Sequence, residues 1–398
     1  MNIKRFESKK FKTNEIALFL TLPLNKETST KNALIPMILR RGSKNYDNQL
    51  KISKKLENMY GAGFNCGIDK TGEYCILKFY IETVANEYLP EDIDLMQDAS
   101  DMLMDIVFNP LVIDNGFDKD FVEQEKENLK KIIEARSDDK ASYAFNRCIE
   151  EMYKDESYST YKFGRIEDLK NIDEKNLYEH YKKIISECRV DLFVNGIDAK
   201  KLKVDDTVGK NRIEVEKYET KFNNEKIVNE EMDVTQGKLV IGLKSDNGDK
   251  YALSMYNAIL GGGANSKLFQ NVREKASLAY SAGSRFIRRK NAIVIITGIG
   301  LKNYDKAVKI IKNQIEDMKN GVISDKEFED AKQLILASLK LIPESQEDMI
   351  AFDFDQNLFE ENLSFEDYRE KIKNVSKEQV IEVAKTLKID TIYYLKNK

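Results

Sequence analysis

The sequence predicts an α+β protein built from two homologous halves of about 200 residues, each a mainly antiparallel sheet with helices packed on one face. Three observations indicate this fold class. A helical pattern at 169–184 recurs at 372–387, an offset of 203 positions measured from Asn171 to Asn374. Strand and helix patterns mix along the chain without strict alternation, which favours antiparallel sheets. The 398 residues suffice for two to three domains of ~150 residues each.

In the first half, the pattern predicts two strands and two helices. An apolar run at 16–22, ended by Pro23, and an aromatic and branched run at 74–81 are typical of strands. A helix is predicted at 93–108, because the Asn-Pro pair that follows disfavours helical backbone. A second, charged amphipathic helix is predicted from 118 to about 135.

The second half shows the same mixture. Strands are predicted at 238–243 and 292–297, and helices at 251–260, 304–319 and 326–341. These patterns predict a domain at 1–205, a charged, Asn-rich linker at 206–235 and a domain at 236–398.

The repeat extends beyond the helix that reveals it. Each copy begins with an Asp or Ser at an N-cap position and is followed by a β-rich run, at 189–194 and 391–395. Upstream, 118–121 matches 325–328, and each of these segments opens a long helix. The two halves are too long to be units of a solenoid, so they are duplicated domains.

Composition excludes several functional classes. The formal net charge is −4, from 64 Lys and Arg against 68 Asp and Glu, which argues against nucleic acid as an obligate partner. No window approaches the ~18–20 apolar residues of a membrane helix. Four widely spaced cysteines, with no signal peptide after the first five residues, predict reduced thiols in the cytoplasm.

His180 is the single histidine, so any metal site that needs two imidazoles from this chain is excluded. In the repeat His180 matches Val383, inside an amphipathic helix. We therefore expect a partly buried helix residue, and a metal-free hydrolase with a Ser/His/Asp or Cys/His site is disfavoured.

The most distinctive segment is the glycine cluster at 261–266 and the residues after it. The cluster is interpreted either as a phosphate-binding loop or as a helix break with a close backbone approach. Arg273 and Tyr280 offer donors for peptide carbonyls or an oxyanion, the alternative being a surface Arg and a core Tyr. The basic stretch 285–290 predicts a solvated strand edge or, alternatively, a nucleic-acid contact.

Segment 261–281 closely resembles the second-domain signature of the pitrilysin/insulinase-type zinc peptidases, which include processing peptidases. Residues 108–110, and Glu127 through 138–139, look like that family's first domain. The resemblance covers nearly the whole chain. It implies two homologous domains arranged as a half-clamshell.

Active members carry His-x-x-Glu-His and a distal Glu. The family's following Gly-Thr-Lys, placed on 42–44, puts Ala33 and Met37 at the two His positions and Pro36 at the general base. The distal ligand falls on Glu134, and one carboxylate does not hold a catalytic zinc. Because Pro36 has no amide proton, we expect its helix to start near Asn32, with Pro36 in the first turn.

The resemblance therefore implies an inactive subunit that binds no cofactor itself. The expected partner is a homologous subunit with His-x-x-Glu-His and zinc, in a heterodimer that processes a peptide. In this chain Arg273, Tyr280, Gly261, Gly262 and Gly263 would bind substrate. A homodimer is possible in isolation. The alternative is a structural or adaptor protein that binds a peptide or partner without taking part in proteolysis.

Overall fold

The structure is a computed structural model that describes residues 1–90, 93–204, 211 and 219–398. Its described residues form two compact units, and each half of the chain contributes one segment to the unit of the other half. The first unit contains Met1–Ala135, Thr160–Val215 and Ser345–Phe359. The second contains Arg136–Ser159, Glu216–Glu344 and Glu360–Lys398.

Each unit is built on a five-stranded sheet. The strands of the first sheet are β1 (Asn2–Phe6), β2 (Thr13–Pro23), β3 (Gly63–Thr71), β4 (Tyr74–Val84) and β5 (Arg189–Asn195), in the order β1-β5-β2-β4-β3. Those of the second are β6 (Lys226–Glu231), β7 (Gly237–Lys244), β8 (Ala279–Ile287), β9 (Ala292–Ile299) and β10 (Lys388–Lys396), in the order β6-β10-β7-β9-β8. In each sheet the pairs are antiparallel except for the first one, β1 with β5 and β6 with β10.

The helices follow in chain order: α1 (Ser29–Leu39), α2 (Gln49–Asn58), α3 (Leu95–Phe108), α4 (Lys119–Glu134), α5 (Lys140–Met152), α6 (Ile166–Leu169), α7 (Glu174–Glu187), α8 (Lys250–Gly261), α9 (Tyr304–Lys319), α10 (Asp325–Leu339), α11 (Gln346–Leu358), α12 (Phe365–Lys373) and α13 (Lys377–Thr386).

The identical strand order of the two sheets confirms that the halves are structural repeats. The helices that reveal the repeat in sequence are α7 and α13, which lead into β5 and β10. Each is preceded by an N-cap residue, Asp173 before α7 and Ser376 before α13. The cap side chain accepts hydrogen bonds from backbone N–H groups of the first turn, which would otherwise lack a partner.

Both faces of each sheet are covered. In β2, Ile16, Leu18 and Leu20 point into the large core beneath the first unit's helices, and the alternate residue Phe19 points the other way. There Phe19 meets Phe354 of α11, with ring centroids 4.4 Å apart. The predicted α+β class with antiparallel sheets is confirmed, and α11 is an additional cover on the opposite face.

The second sheet has the same arrangement, with α5 in the role of α11. Cys148 and Met152 of α5 form a separate buried cluster with Val240 of β7 and Tyr393 of β10. Gly242 makes this contact possible, because a Cβ there would lie 2.1 Å from the Met152 sulfur. A helix from the other half of the chain thus completes each unit, which the sequence pattern does not predict.

The start of α1 and the region between the two halves differ from the sequence prediction. The helix start near Asn32 is wrong, because α1 begins at Ser29 and holds Pro36 in its interior. Part of the predicted linker 206–235 lies outside the described residues, and Lys226–Glu231 within it forms β6. The domain boundaries themselves stay predictions. None of the helices in the described part of the chain combines the length and apolar character that a bilayer span requires.

Candidate functional site

The residues that the resemblance places at the family's zinc-motif positions lie on α1, which is buried on nearly all sides. Ala33 and Pro36 are buried and Met37 is half-buried. An interior proline costs a helix about 3 kcal/mol, and the tertiary packing of α1 offsets that cost. Zinc takes thiolate, imidazole or carboxylate ligands, and none of these three side chains provides one. The site therefore does not fit the metal.

The predicted distal ligand does not lead to a metal site either. Glu134 is the exposed last residue of α4, and Glu127 is also exposed. The buried carboxylate of α4 is Glu125, which is 5% exposed. Glu125 was not among the predicted site residues, although it shares one helical face with Val122 and Leu129.

Glu125 is paired with a guanidinium. Arg41 Nη1 lies 3.3 Å from Glu125 Oε1, and Arg41 Nη2 donates to Gln124 at 2.6 Å. The same guanidinium lies 4.9 Å from the centre of the Phe121 ring. Because Arg41 neutralises Glu125, this carboxylate belongs to the packing of α4. No group of three His, Cys, Asp or Glu side chains within the described residues is arranged to hold a metal ion.

The Cys66 thiol and the His180 imidazole both contact α1, and both are neutral at pH 7. The Cys66 thiol donates to the Pro36 carbonyl at 3.3 Å, and burial raises the pKa of Cys66 to about 11. His180 Nε2 lies 2.7 Å from Asn32 Oδ1, and burial, with nearby lysines, lowers the pKa of His180 to about 4. A neutral His180 facing an amide oxygen donates from Nε2. It is the partly buried helix residue that the sequence predicts.

The glycine cluster lies where α8 ends against β8. A Cβ on Gly261 would lie 2.4 Å from the Ser284 amide nitrogen, and one on Gly262 would lie 2.7 Å from the Ala258 Cα. At Gly263 the nearest atom, a Leu334 methyl, is 3.4 Å away. The first two glycines therefore allow a close backbone approach, which supports that interpretation of the cluster over a phosphate-binding loop.

A π-helical turn, Phe269–Lys275, follows the glycines and carries Arg273. The Arg273 guanidinium lies 4.5 Å from the centre of the Phe269 ring, and its Nε is 3.6 Å from Glu274 Oε1. Both members of that ion pair are about half exposed, so the pair contributes little to stability. Asn271 anchors the turn by donating to Gln314 Oε1 of α9 at 2.7 Å. The turn thus presents a guanidinium to solvent from a fixed support.

Tyr280 stands at the start of β8. Ala279 pairs with Ile299 and Ser281 with Gly298, so Tyr280 is the extra residue of a β-bulge on an edge strand. It is 77% exposed, the largest exposed fraction among the large hydrophobic residues described. The alternative of a core Tyr is therefore wrong. Both Arg273 and Tyr280 are on the surface of the second unit.

The basic stretch after β8 is engaged within the second unit. Arg288 and Arg289 each lie 2.6 Å from a different oxygen of Glu361. Lys290 is fully buried and its Nζ lies 2.8 Å from Glu156 Oε2. The prediction of a solvated strand edge for 285–290 is therefore wrong at 288–290, whereas the exposed Arg285 on the edge strand β8 agrees with it. Because the three cations at 288–290 are paired with carboxylates of the same unit, they do not support the alternative of a nucleic-acid contact.

Comparison with known proteins identifies the family. A family model described as "Peptidase M16 inactive domain" matches residues 171–335. The "Probable inactive metalloprotease YmfF" of Bacillus subtilis strain 168 is 33% identical over 403 residues, covering 98% of this chain and 94% of its own. The "Uncharacterized zinc protease YmxG" of the same strain is 32% identical over 129 residues, 31% of each chain. The crystal structure of a conserved protein from Enterococcus faecalis V583 aligns over 100% of this chain and 96% of its own, with a TM-score of 0.91 and 29% identity.

Fold and site thus define a peptidase-like protein of two repeated α+β units, with Ala33 and Met37 at the predicted zinc-ligand positions and Pro36 at the predicted general-base position. The chain belongs to the M16 peptidase family. Within that family it is a non-catalytic member.

Proposed function

We propose that this chain is the inactive subunit of a heterodimeric zinc processing peptidase. It would bind the peptide substrate and place Arg273 and Tyr280 at the active site of a homologous, zinc-bearing partner. We expect this assembly in the cytoplasm. The partner would supply the metal and the general base, and this chain would supply hydrogen-bond donors.

The observation that carries the proposal is the exposure of these two side chains without a stabilising role. Tyr280 projects from a bulge, and Arg273 is held by one aromatic contact and one weak ion pair. Exposed Tyr and Arg side chains are typical of binding sites, because each combines a large contact surface with directional donors. A guanidinium and a phenol suit the carbonyl oxygens of a peptide and the negative charge that develops during hydrolysis.

The relatives support a partner of the stated kind. Bacillus subtilis strain 168 holds both a relative named as an inactive metalloprotease and one named as a zinc protease. One organism can therefore contain both a relative named as inactive and a relative named as a zinc protease. Gly261 would act indirectly, by letting the end of α8 lie against β8.

The test begins with affinity purification of the tagged chain from its own cells and mass spectrometry of what stays bound. We expect a stoichiometric homologue with His-x-x-Glu-His. With that complex, Arg273→Ala and Tyr280→Phe should each lower kcat/KM, and loss of a transition-state donor lowers the rate by about 10²-fold. The chain alone, supplied with zinc, should show no hydrolysis.

Matched controls separate this role from general surface changes. Lys275→Ala changes an exposed cation on the same turn, and Tyr60→Phe removes a phenol oxygen from an exposed Tyr of the first unit. Neither should change kcat/KM. A stable complex whose kcat/KM is unchanged by both substitutions at 273 and 280 would reject the proposal and favour the adaptor alternative.

A further inference from the structure

The turn that carries Arg273 has π-helical geometry over Phe269–Lys275. A π turn bonds each amide to the carbonyl five residues earlier, whereas an α-helix uses the carbonyl four residues earlier. Such turns are rare, mostly occur singly and are frequent at functional sites. Without support from side chains, we expect the segment to relax towards the common α geometry.

The side chain of Asn271 supplies such support within the turn. Its Nδ2 donates to the Lys267 carbonyl at 2.9 Å. Lys267 lies four residues earlier, so in α geometry this carbonyl is the acceptor of the backbone amide of residue 271. Side-chain bonds of this kind compete with the regular backbone pattern. The bond therefore favours the π turn over α geometry.

The same amide group connects the turn to α9. Asn271 Nδ2 also donates to Gln314 Oε1 at 2.7 Å, and Gln314 is only 8% exposed. The other contact of Asn271, in which exposed Lys275 donates to its Oδ1 at 3.1 Å, lies in solvent and adds little stability. The half-buried Asn271 thus ties the turn to a buried side chain of the neighbouring helix, which fixes its position.

The geometry of the turn decides which side chain faces solvent. Val272, the residue before Arg273, is fully buried in the core of the second unit. A π turn takes about one residue more than an α turn, so a return to α geometry would rotate the end of the turn by roughly 100°. Val272 would then turn towards the direction that Arg273 has now, and Arg273 would turn away from it.

We propose that Asn271 is a positioning residue, which keeps Phe269–Lys275 in π geometry and thereby aims the Arg273 guanidinium. Asn271 does not contact the substrate; it acts through Arg273. The importance of this direction for hydrolysis rests on the function proposed for Arg273. The effect of Asn271 on the turn does not rest on that function, and it is measured on the chain alone.

A thiol at position 272 reports the geometry of the turn. Val272→Cys places a thiol where the side chain is buried, so the disulfide reagent DTNB should modify it slowly. The chain without this substitution gives the background, since three of its four cysteines are buried and Cys66 is half-buried. With Asn271→Leu added, we expect a reaction about tenfold faster, because the loss of two hydrogen bonds makes local opening easier.

Asn313→Leu is the matched control, because Asn313 is an exposed Asn of α9 beside Gln314. Combined with Val272→Cys, it should leave the thiol rate unchanged, and thermal melts check that each variant is folded. Hydrogen exchange is a second measurement, which needs no new thiol. In the chain with Asn271→Leu alone, the amides of 269–278 should exchange faster than in the wild type. Unchanged thiol and exchange rates in Asn271→Leu would overturn the proposal.

Kinetics of the complex with the zinc-bearing partner test the action through Arg273. Asn271→Leu should lower kcat/KM, and it should have no further effect once Arg273→Ala is present. A general structural role would lower kcat/KM equally in both backgrounds, and that result would also overturn the proposal. If Arg273→Ala leaves kcat/KM unchanged, the proposed function is rejected. The thiol and exchange rates then still confirm or reject the effect of Asn271 on the turn.

Discussion

Glu15 makes the stability of the first unit depend on pH. Its side chain is buried in β2, opposite Glu82 of β4, and Glu347 at the start of α11 is a further charged neighbour. Burial, followed by repulsion from Glu347 and Glu82, raises the pKa of Glu15 from 4.5 to about 7. One pKa unit is about 1.4 kcal/mol, so the ionised form is disfavoured in the folded unit by about 3 kcal/mol.

The sign follows from proton linkage. Because the folded state holds the Glu15 proton more tightly than the unfolded state, the gain from that proton is complete below pH 4.5. It is lost as the pH rises towards 7, and above pH 7 the folded unit carries the full cost of a buried charge. Glu15→Gln keeps the shape and removes that charge. We expect it to raise the free energy of unfolding by up to about 3 kcal/mol at pH 8, and much less at pH 5.

Chemical denaturation at pH 5 and pH 8 measures this difference. Glu57→Gln, the same change at an exposed residue of α2, is the control and should alter stability by less than about 0.5 kcal/mol at both pH values. Glu82→Gln should stabilise at pH 8 by less than Glu15→Gln, since it removes only one of the two repelling charges. An effect of Glu15→Gln that is equal at the two pH values, or a loss of stability at pH 8, would refute the linkage argument.

Two further predictions concern the second unit. Gly261→Ala should destabilise by about 1–3 kcal/mol, because its Cβ meets backbone atoms of β8, and Gly263→Ala should stay within about 0.5 kcal/mol, which thermal melts will compare. Lys244→Met should destabilise by about 3–5 kcal/mol, because it removes the ammonium that lies 3.2 Å from the buried Asp390 carboxylate. Lys244→Met/Asp390→Asn should recover part of that loss in urea titrations, and a double variant less stable than Lys244→Met would contradict the pairing.

The sheet interiors could be predicted from the sequence and their edges could not. The predicted strands at 16–22, 74–81, 238–243 and 292–297 lie inside β2, β4, β7 and β9. These strands are buried, so they read as apolar and branched runs. Strand β3 was missed because it lies at a sheet edge and contains two Gly residues, which lower strand propensity. Strand β8, at the edge of the other sheet with one Gly and two Ser residues, was predicted only through the strand edge at 285–290.

The exchange of α5 and α11 could not be predicted for a different reason. Helical periodicity shows that one face of a helix is apolar, but it does not show which sheet takes that face. The choice depends on long-range fit, such as the space above Gly242 that receives Met152. The burial of Lys290 is another long-range effect, since its partner Glu156 lies 134 residues earlier in the chain. The local composition of 285–290, which is rich in Arg and Lys, predicts exposure to solvent instead.

Packing explains the residues at the predicted zinc-motif positions of α1, but it does not explain Arg273 and Tyr280. Ala33 and Pro36 are buried in α1, so packing alone accounts for apolar residues there. Packing also explains Gly261, whose missing side chain lets α8 approach β8. It does not explain Tyr280, because a bulge that turns a large aromatic ring into solvent gains no buried area. Within the described part of the chain, Arg273 on the preceding turn has no strong partner either. An exposed side chain that does not stabilise the fold is a candidate for binding. For that reason the proposed function is assigned to Arg273 and Tyr280.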